Sequence, residues 1–195
     1  MRAVIIGAGM GGLLTALALR QSNCFSAIDI FEQTKKPATA GAGLNIPPNG
    51  ARLCKWLGVD LDGGDPLGPH GAIDGGRAAI LKSSRQFNED GSKSERPFDH
   101  ITAAGDGAGF HHMHRLDLLM CLFKKVFEFG PDSGKSCPIK VHMGNRLNKL
   151  EQTNKKVTAT FSNGSQKTGD VLIGADGINS AVLELLWPHS RPKRW

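Results

Sequence analysis

Residues Gly7-Ala-Gly-Met-Gly-Gly12 spell G-x-G-x-x-G, and no other stretch limits what this chain can fold into as tightly. The run before it, Ala-Val-Ile-Ile at 3–6, is short and wholly apolar, as a buried parallel strand requires. The run after it, 12–20, is rich in Leu and Ala and predicts a helix. Residues 26–31, Ser-Ala-Ile-Asp-Ile-Phe, predict a second strand and close a βαβ unit. In that setting each glycine has a task. Gly7 permits the tight turn, Gly9 lets backbone approach a pyrophosphate, and Gly12 lets the helix pack closely on the strand. The unpaired N–H groups at the helix start and the helix dipole then favour an anion.

Glu32 ends the second predicted strand, 20 residues after Gly12 (32 − 12). A carboxylate there accepts hydrogen bonds from the ribose hydroxyls of an adenine dinucleotide. It also repels a ribose 2′-phosphate, which favours FAD or NAD over NADP at this position. Strand, turn, helix, strand and acid in that order make dinucleotide binding the primary expectation, with Gly7, Ala8, Gly9, Gly11, Gly12, Glu32 and Gln33 as its contacts.

The rest of the chain extends an α/β pattern. Helices are predicted at 49–57, 115–129 and 180–186, and strands at 77–83, 85–88, 138–142, 146–151, 156–162 and 170–175, the last as a buried strand. Asn163-Gly164 predicts a hairpin turn. Residues 60–76 are rich in Gly and Pro, and 89–109 are polar and Gly-rich, as a mobile surface connection would be. Trp56 and Trp187 fall on apolar helix faces and are expected in the core. His111, His112 and His114 are expected in a loop as surface histidines, because no Cys or acidic residue stands at ligand spacing for a metal. Ser180 has no nucleophile-elbow context.

Composition excludes several classes. The net charge of +6 is spread along the chain, with no basic helix carrying interleaved aromatics, so nucleic acid is not an expected partner. Arg2 and the apolar stretch up to Ala18 imitate a secretory leader, but the glycines interrupt it at phosphate-binding spacing. No other apolar run approaches a membrane span. Cys24, Cys54, Cys121 and Cys137 show no metal or redox spacing and read as free thiols of a reducing, cytoplasmic setting.

Three further segments carry a resemblance. They are Gly41-Ala-Gly-Leu-Asn-Ile-Pro-Pro-Asn-Gly-Ala-Arg-Leu-Cys-Lys-Trp-Leu-Gly58, His114-Arg115-Leu-Asp117-Leu118, and Asp170-Val-Leu-Ile-Gly-Ala-Asp176-Gly177-Ile-Asn-Ser180-Ala-Val182. With the glycine turn, they resemble in order the class A flavoprotein monooxygenases, the family of salicylate, p-hydroxybenzoate and kynurenine hydroxylases. The last segment is similar to that family's Gly-Ala-Asp-Gly-x-x-Ser-x-Val-Arg fingerprint, with Leu183 in place of its arginine. The resemblance implies a Rossmann-like FAD-binding domain with a parallel sheet, a β-meander and a partial substrate-domain insertion. It implies FAD contacts at Gly43, Arg115 and Asp176, and a backbone contact at Leu147 after the first meander strand. No catalytic side chain is implied.

Relatives of that kind reduce FAD with NADPH or NADH and use O2 to hydroxylate an aromatic small molecule, so these are the implied reductant and substrate class. The family's second fingerprint, Gly-Asp-Ala-x-His-x-x-x-Pro, does not occur in the 195 residues. The resemblance therefore implies an incomplete FAD-binding domain over 1–195, with 60–113 as part of the inserted substrate-side region. Alternatives are a non-catalytic FAD-binding remnant that needs a partner half, and another FAD-dependent oxidoreductase of the same superfamily. An unpaired sheet side predicts an exposed apolar face through which the chain associates.

Overall fold

A computed structural model describes residues 1–37, 41–59, 61, 79–80, 89–92, 109–128 and 137–188. The chain divides into two compact units, one of residues 1–39 and 122–195, the other of residues 40–121. Strand 85–88, most of the connection at 89–109 and most of the expected insertion at 60–113 lie outside the described residues.

The first unit is built on a parallel sheet of β1 (Arg2–Ile6), β2 (Ala27–Glu32), β6 (Ile139–Met143) and β10 (Val171–Gly174), in the order β10-β1-β2-β6. Helix α1 (Met10–Gln21) makes the crossover from β1 to β2. Side chains alternate across the sheet. Val4, Ile6 and Phe31 form one core cluster with Leu147, Ala159, Phe161 and Val182. The opposite positions, Ala3, Ile5, Ile28 and Ile30, are fully buried, as are Leu13, Ala16 and Leu17 on the inner side of α1. Burying a Leu or Ile side chain is worth about 1.5–3 kcal/mol.

The Phe161 side of the core belongs to an antiparallel meander of β7 (Leu147–Gln152), β8 (Val157–Phe161) and β9 (Gln166–Gly169). Asn163-Gly164 makes its second turn, with Gly164 at φ +81°. The expected strand at 138–142 is β6 of the parallel sheet, so the meander starts at β7. Leu147 is therefore the first meander residue rather than one that follows a meander strand, and its side chain is buried against the core. Strand β9 has no sequence signal of its own. Gln-Lys-Thr-Gly is polar, and pairing with β8 creates the strand.

Two other expectations are corrected in this unit. Val171, Leu172 and Ile173 of β10 are half-buried rather than buried, because β10 pairs only with β1 in the described sheet and lies at its edge. Trp187 is exposed, since it follows the last residue of the short helix α4 (Ala181–Leu186). No helix among the described residues is long and apolar enough to cross a membrane.

The second unit contains an antiparallel sheet in the order β3-β5-β4, from β3 (Gly43–Ile46), β4 (Ala79–Ile80) and β5 (His111–His114). Helix α2 (Pro48–Trp56) starts with proline at its first position, where the missing N–H costs nothing. It stops at Leu57-Gly58. Gly58 takes φ +70°, and its amide and that of Val59 bond back to the carbonyls of Lys55 and Cys54. Trp56, expected in the core, is exposed at the helix end. The histidines at 111–114 form a strand and not a surface loop, with His111 only 2% exposed. Helix α3 (Arg115–Phe127) follows directly.

Candidate nucleotide-binding site

The carboxyl ends of β1, β2 and β10 come together around the glycine turn. Gly7 donates its amide to the carbonyl of Phe31 at 2.8 Å, and Ala175 donates to that of Ile6 at 2.7 Å. A Cβ on Gly7 would lie 2.4 Å from the carbonyl oxygen of Ala175, and its φ is +106°. A Cβ on Gly12 would lie 1.9 Å from the carbonyl oxygen of Gly7. These two glycines are demanded by packing. Gly9 and Gly11 are different: a Cβ on either would meet nothing within 4 Å. Their space is open, as a ligand lying against the backbone requires.

Helix α1 starts at this opening with Gly9 at the cap and no side-chain cap. The first donors of a helix have no partner within it. Leu13 bonds back to Gly9, and the space beside Gly9 and Gly11 at this helix start is open. No acidic side chain occupies the first turn. The result is a concentration of N–H dipoles suited to an anion.

Glu32 stands at the rim. Its Oε2 accepts from the buried amide of Ala8 at 2.9 Å. Its Oε1 accepts from the amide of Thr34 at 2.9 Å and from the Thr34 hydroxyl at 3.0 Å. A carboxylate has about four lone-pair directions, so three bonds orient it and still leave an acceptor direction for a sugar hydroxyl. Behind it, Asn145 donates to the carbonyl of Glu32 at 2.7 Å and Gly144 to that of Thr34 at 2.8 Å. Gln33 is exposed beside it. The turn after β6 thus braces the end of β2. Sequence reasoning found Glu32 but not Thr34 or Asn145.

Asp176 is a capping residue. Its Oδ2 accepts from Ala181 at 2.7 Å and Val182 at 3.1 Å, and its Oδ1 accepts from the Ser180 hydroxyl at 2.7 Å. The Ser180 oxygen accepts from Leu183 in turn at 2.9 Å. Asp176 therefore holds the start of α4. The backbone around it approaches closely. A Cβ on Gly174 would meet Val182 at 3.0 Å, and Gly177 takes φ +77°.

Strand β2 carries a buried charged group that no local pattern announces. Asp29 is 3% exposed and accepts from His142 Nε2 at 2.8 Å and from Lys167 Nζ at 2.7 Å. Burial pushes its carboxyl up, but the bonds from Lys167 and His142 outweigh that and leave it below the ordinary carboxylate value. His142 also stacks on Phe31 with ring centroids 4.5 Å apart, and Phe31 stacks on Phe161 at 4.1 Å. Arg20, 6% exposed, donates to the carbonyls of Val126 and Lys125 at the end of α3, where a cation suits the helix dipole. These groups join elements of the first unit and lie apart from the open turn.

Gly43 and Arg115 belong to the second unit. A Cβ on Gly43 would meet nothing within 4 Å. A Cβ on Gly41 would lie 3.1 Å from that of Arg115. The Gly-x-Gly of this segment thus repeats the division seen at 7–12, one glycine for packing and one facing open space. Among the described residues no His, Cys, Asp and Glu cluster has the arrangement of a metal site, and the four cysteines are free.

A parallel sheet with a glycine turn, a dipole-rich helix start and a strand-end carboxylate defines an α/β domain of the dinucleotide-binding class. Comparison with known proteins narrows that class. No family model matches the sequence. The chain is 29% identical over 182 residues to hispidin-3-hydroxylase of Neonothopanus nambi, covering 92% of this chain and 38% of that protein. It is 31% identical over 183 residues to an FAD-dependent urate hydroxylase of Klebsiella pneumoniae, covering 93% and 42%. The crystal structure of a variant of Klebsiella pneumoniae HpxO complexed with FAD superposes with a TM-score of 0.62 at 27% identity, covering 94% of this chain and 42% of that one. The proteins this chain is similar to are FAD-dependent hydroxylases and monooxygenases, and it shares the Rossmann-like fold of the FAD complex. It spans about two-fifths of the length of the relatives it matches.

Proposed function

We propose that this chain forms the FAD-binding part of a monooxygenase that uses NADPH or NADH and O2 to hydroxylate an aromatic small molecule. The observation that carries the reading is the open space at Gly9 and Gly11 beside a carboxylate already oriented by Ala8 and Thr34. The residues present fit the group. The amides of Gly9, Met10 and Gly11 suit the pyrophosphate, and Glu32 suits the adenosine ribose, with Gly7, Ala8, Gly12 and Gln33 forming the wall around them. Gly43, Arg115, the Leu147 backbone and the Asp176 turn are the further contacts of this proposal. When bound, FAD supplies the electron transfer and oxygen chemistry, and the protein's task is to hold it, orient it and exclude water.

The same reading gives residues 60–113 to a substrate-side insertion and the protein to the cytoplasm. It also assigns a role to the exposed apolar groups on and beside α4. Leu185, Leu186 and Trp187 are exposed, and Ile178 is 98% exposed. We propose that additional polypeptide covers this face.

The test is the visible spectrum of the purified protein after gel filtration in excess FAD, followed by NADPH and NADH oxidation in air with candidate phenols. A retained flavin band with substrate-stimulated oxidation supports an enzyme. A retained band without oxidation supports an FAD-binding remnant, and no retained flavin refutes the cofactor assignment.

A further inference from the structure

His114 occupies the junction of three backbone segments. It is the last residue of β5 and the residue before α3, and it pairs in register with Gly43 of β3. Its Nε2 lies 3.0 Å from the carbonyl oxygen of Gly41. Its Nδ1 accepts from the amide of Leu116 at 3.3 Å. A carbonyl oxygen only accepts, and an amide N–H only donates, so one tautomer satisfies both bonds: hydrogen on Nε2, lone pair on Nδ1. The ring thus caps α3 from one side and ties down the Gly41-Ala42-Gly43 turn from the other. Two more contacts close the same junction. The Arg115 amide donates to the carbonyl of Ala42 at 3.1 Å, and Gly41 packs so close to Arg115 that a Cβ would lie 3.1 Å from its own.

We infer that His114 is a positioning residue that clamps the Gly41–Gly43 turn to the start of α3, fixing Gly43 and Arg115 in one geometry. Its first consequence is independent of any ligand: the Arg115 amide stays protected only while the turn is held. Its second rests on the FAD reading above. Gly43 and Arg115 are the proposed FAD contacts of this unit, so a loosened clamp weakens FAD binding without unfolding the protein. Helix capping alone does not require this. Aspartate, asparagine, serine or threonine would cap α3 as well or better, but none of these short side chains bridges to Gly41 while doing so.

That difference supplies the experiment, performed on the full chain. His114→Asn preserves a cap and removes the bridge, and His114→Ala removes both. Gly41→Ala strains the same contact from the opposite side and leaves the imidazole intact. The Arg115 amide should exchange with solvent about tenfold faster in His114→Asn than in the native chain, with Tm nearly unchanged. FAD affinity, read by flavin fluorescence, should fall about tenfold in His114→Asn and in Gly41→Ala. Long-range proton–nitrogen NMR of the native protein should show the Nε2–H tautomer. Native exchange at Arg115 in His114→Asn overturns the clamp. If His114→Asn does not fold, native exchange at Arg115 in Gly41→Ala overturns it instead. If the native chain binds no FAD, the cofactor reading fails and the exchange data alone decide the clamp. If the chain binds FAD and His114→Asn binds it equally well, the positioning role fails while the cofactor reading stands.

Discussion

The carboxylate of Glu32 accepts a hydrogen bond from the backbone amide of Ala8 at 2.9 Å, so the end of the second strand is wired to the turn that follows the first. The acid is therefore set in place by the protein and does not depend on a nucleotide to orient it.

Glu32→Gln tests what that charge contributes. Glutamine keeps one acceptor oxygen and loses the charge-assisted bonds, so the fold should persist. FAD affinity should fall about tenfold, the equivalent of roughly 1.4 kcal/mol. Titration with flavin fluorescence reads the change, and an unaltered Kd would remove Glu32 from the site.

The glycines separate into two kinds of variant. Gly12→Ala drives a methyl group to 1.9 Å from the Gly7 carbonyl oxygen, and should cost about 3 kcal/mol or more in a urea melt. Gly9→Ala meets nothing within 4 Å and should melt within about 1 kcal/mol of the native chain. Only its FAD affinity should suffer, because the new methyl projects into the space proposed for phosphate. Equal melting midpoints for the two variants would contradict this division.

Asp29 makes stability depend on acid. Its folded-state carboxyl lies below the ordinary value of 3.8, so the unfolded chain binds the proton more readily. The stabilisation is complete above that ordinary value and is lost as pH falls through the lower folded one. Asp29→Asn should lose on the order of 2 kcal/mol at neutral pH, since His142 and Lys167 are left without their carboxylate. Native and variant stabilities should converge in acid, measured by urea melts from pH 7 down to 3. A constant gap across that range would refute the linkage.

Asp176→Ala should destabilise the protein by about 1–2 kcal/mol through the lost cap of α4. Asp176→Asn should recover much of that, because an amide oxygen still accepts from Ala181 or Val182. Thermal melts of the two variants distinguish a capping role from one that needs the charge.

What the sequence disclosed depended on how local the cause was. Gly7, Gly12 and Glu32 lie within one βαβ unit, where spacing and residue type suffice, and the structure puts all three at one turn. Asp29 was illegible because its partner His142 is 113 residues away and comes from a different strand. The strand at His111–His114 carries no β-branched residue, and it forms because Gly43–Ile46 pairs with it across a long stretch of chain. Its one local hint was the alternation of His111 and Met113, both buried, with His112 and His114, both half-buried. Trp56 and Trp187 were misassigned because their exposure follows from standing at helix ends, a boundary effect that periodicity resolves poorly.

The contact between Gly7 and Ala175 has a temporal side. A ribosome delivers the glycine turn well before its packing partners: the Ala175 carbonyl that crowds Gly7 lies 168 residues further on (175 − 7), just after the β10 strand that pairs with β1. Until β10 is made, the nascent β1–α1–β2 unit has one flank of its first strand bare. Such a late, long-range closure slows folding. The glycine turn thus reaches its final packing long after its own residues have been translated.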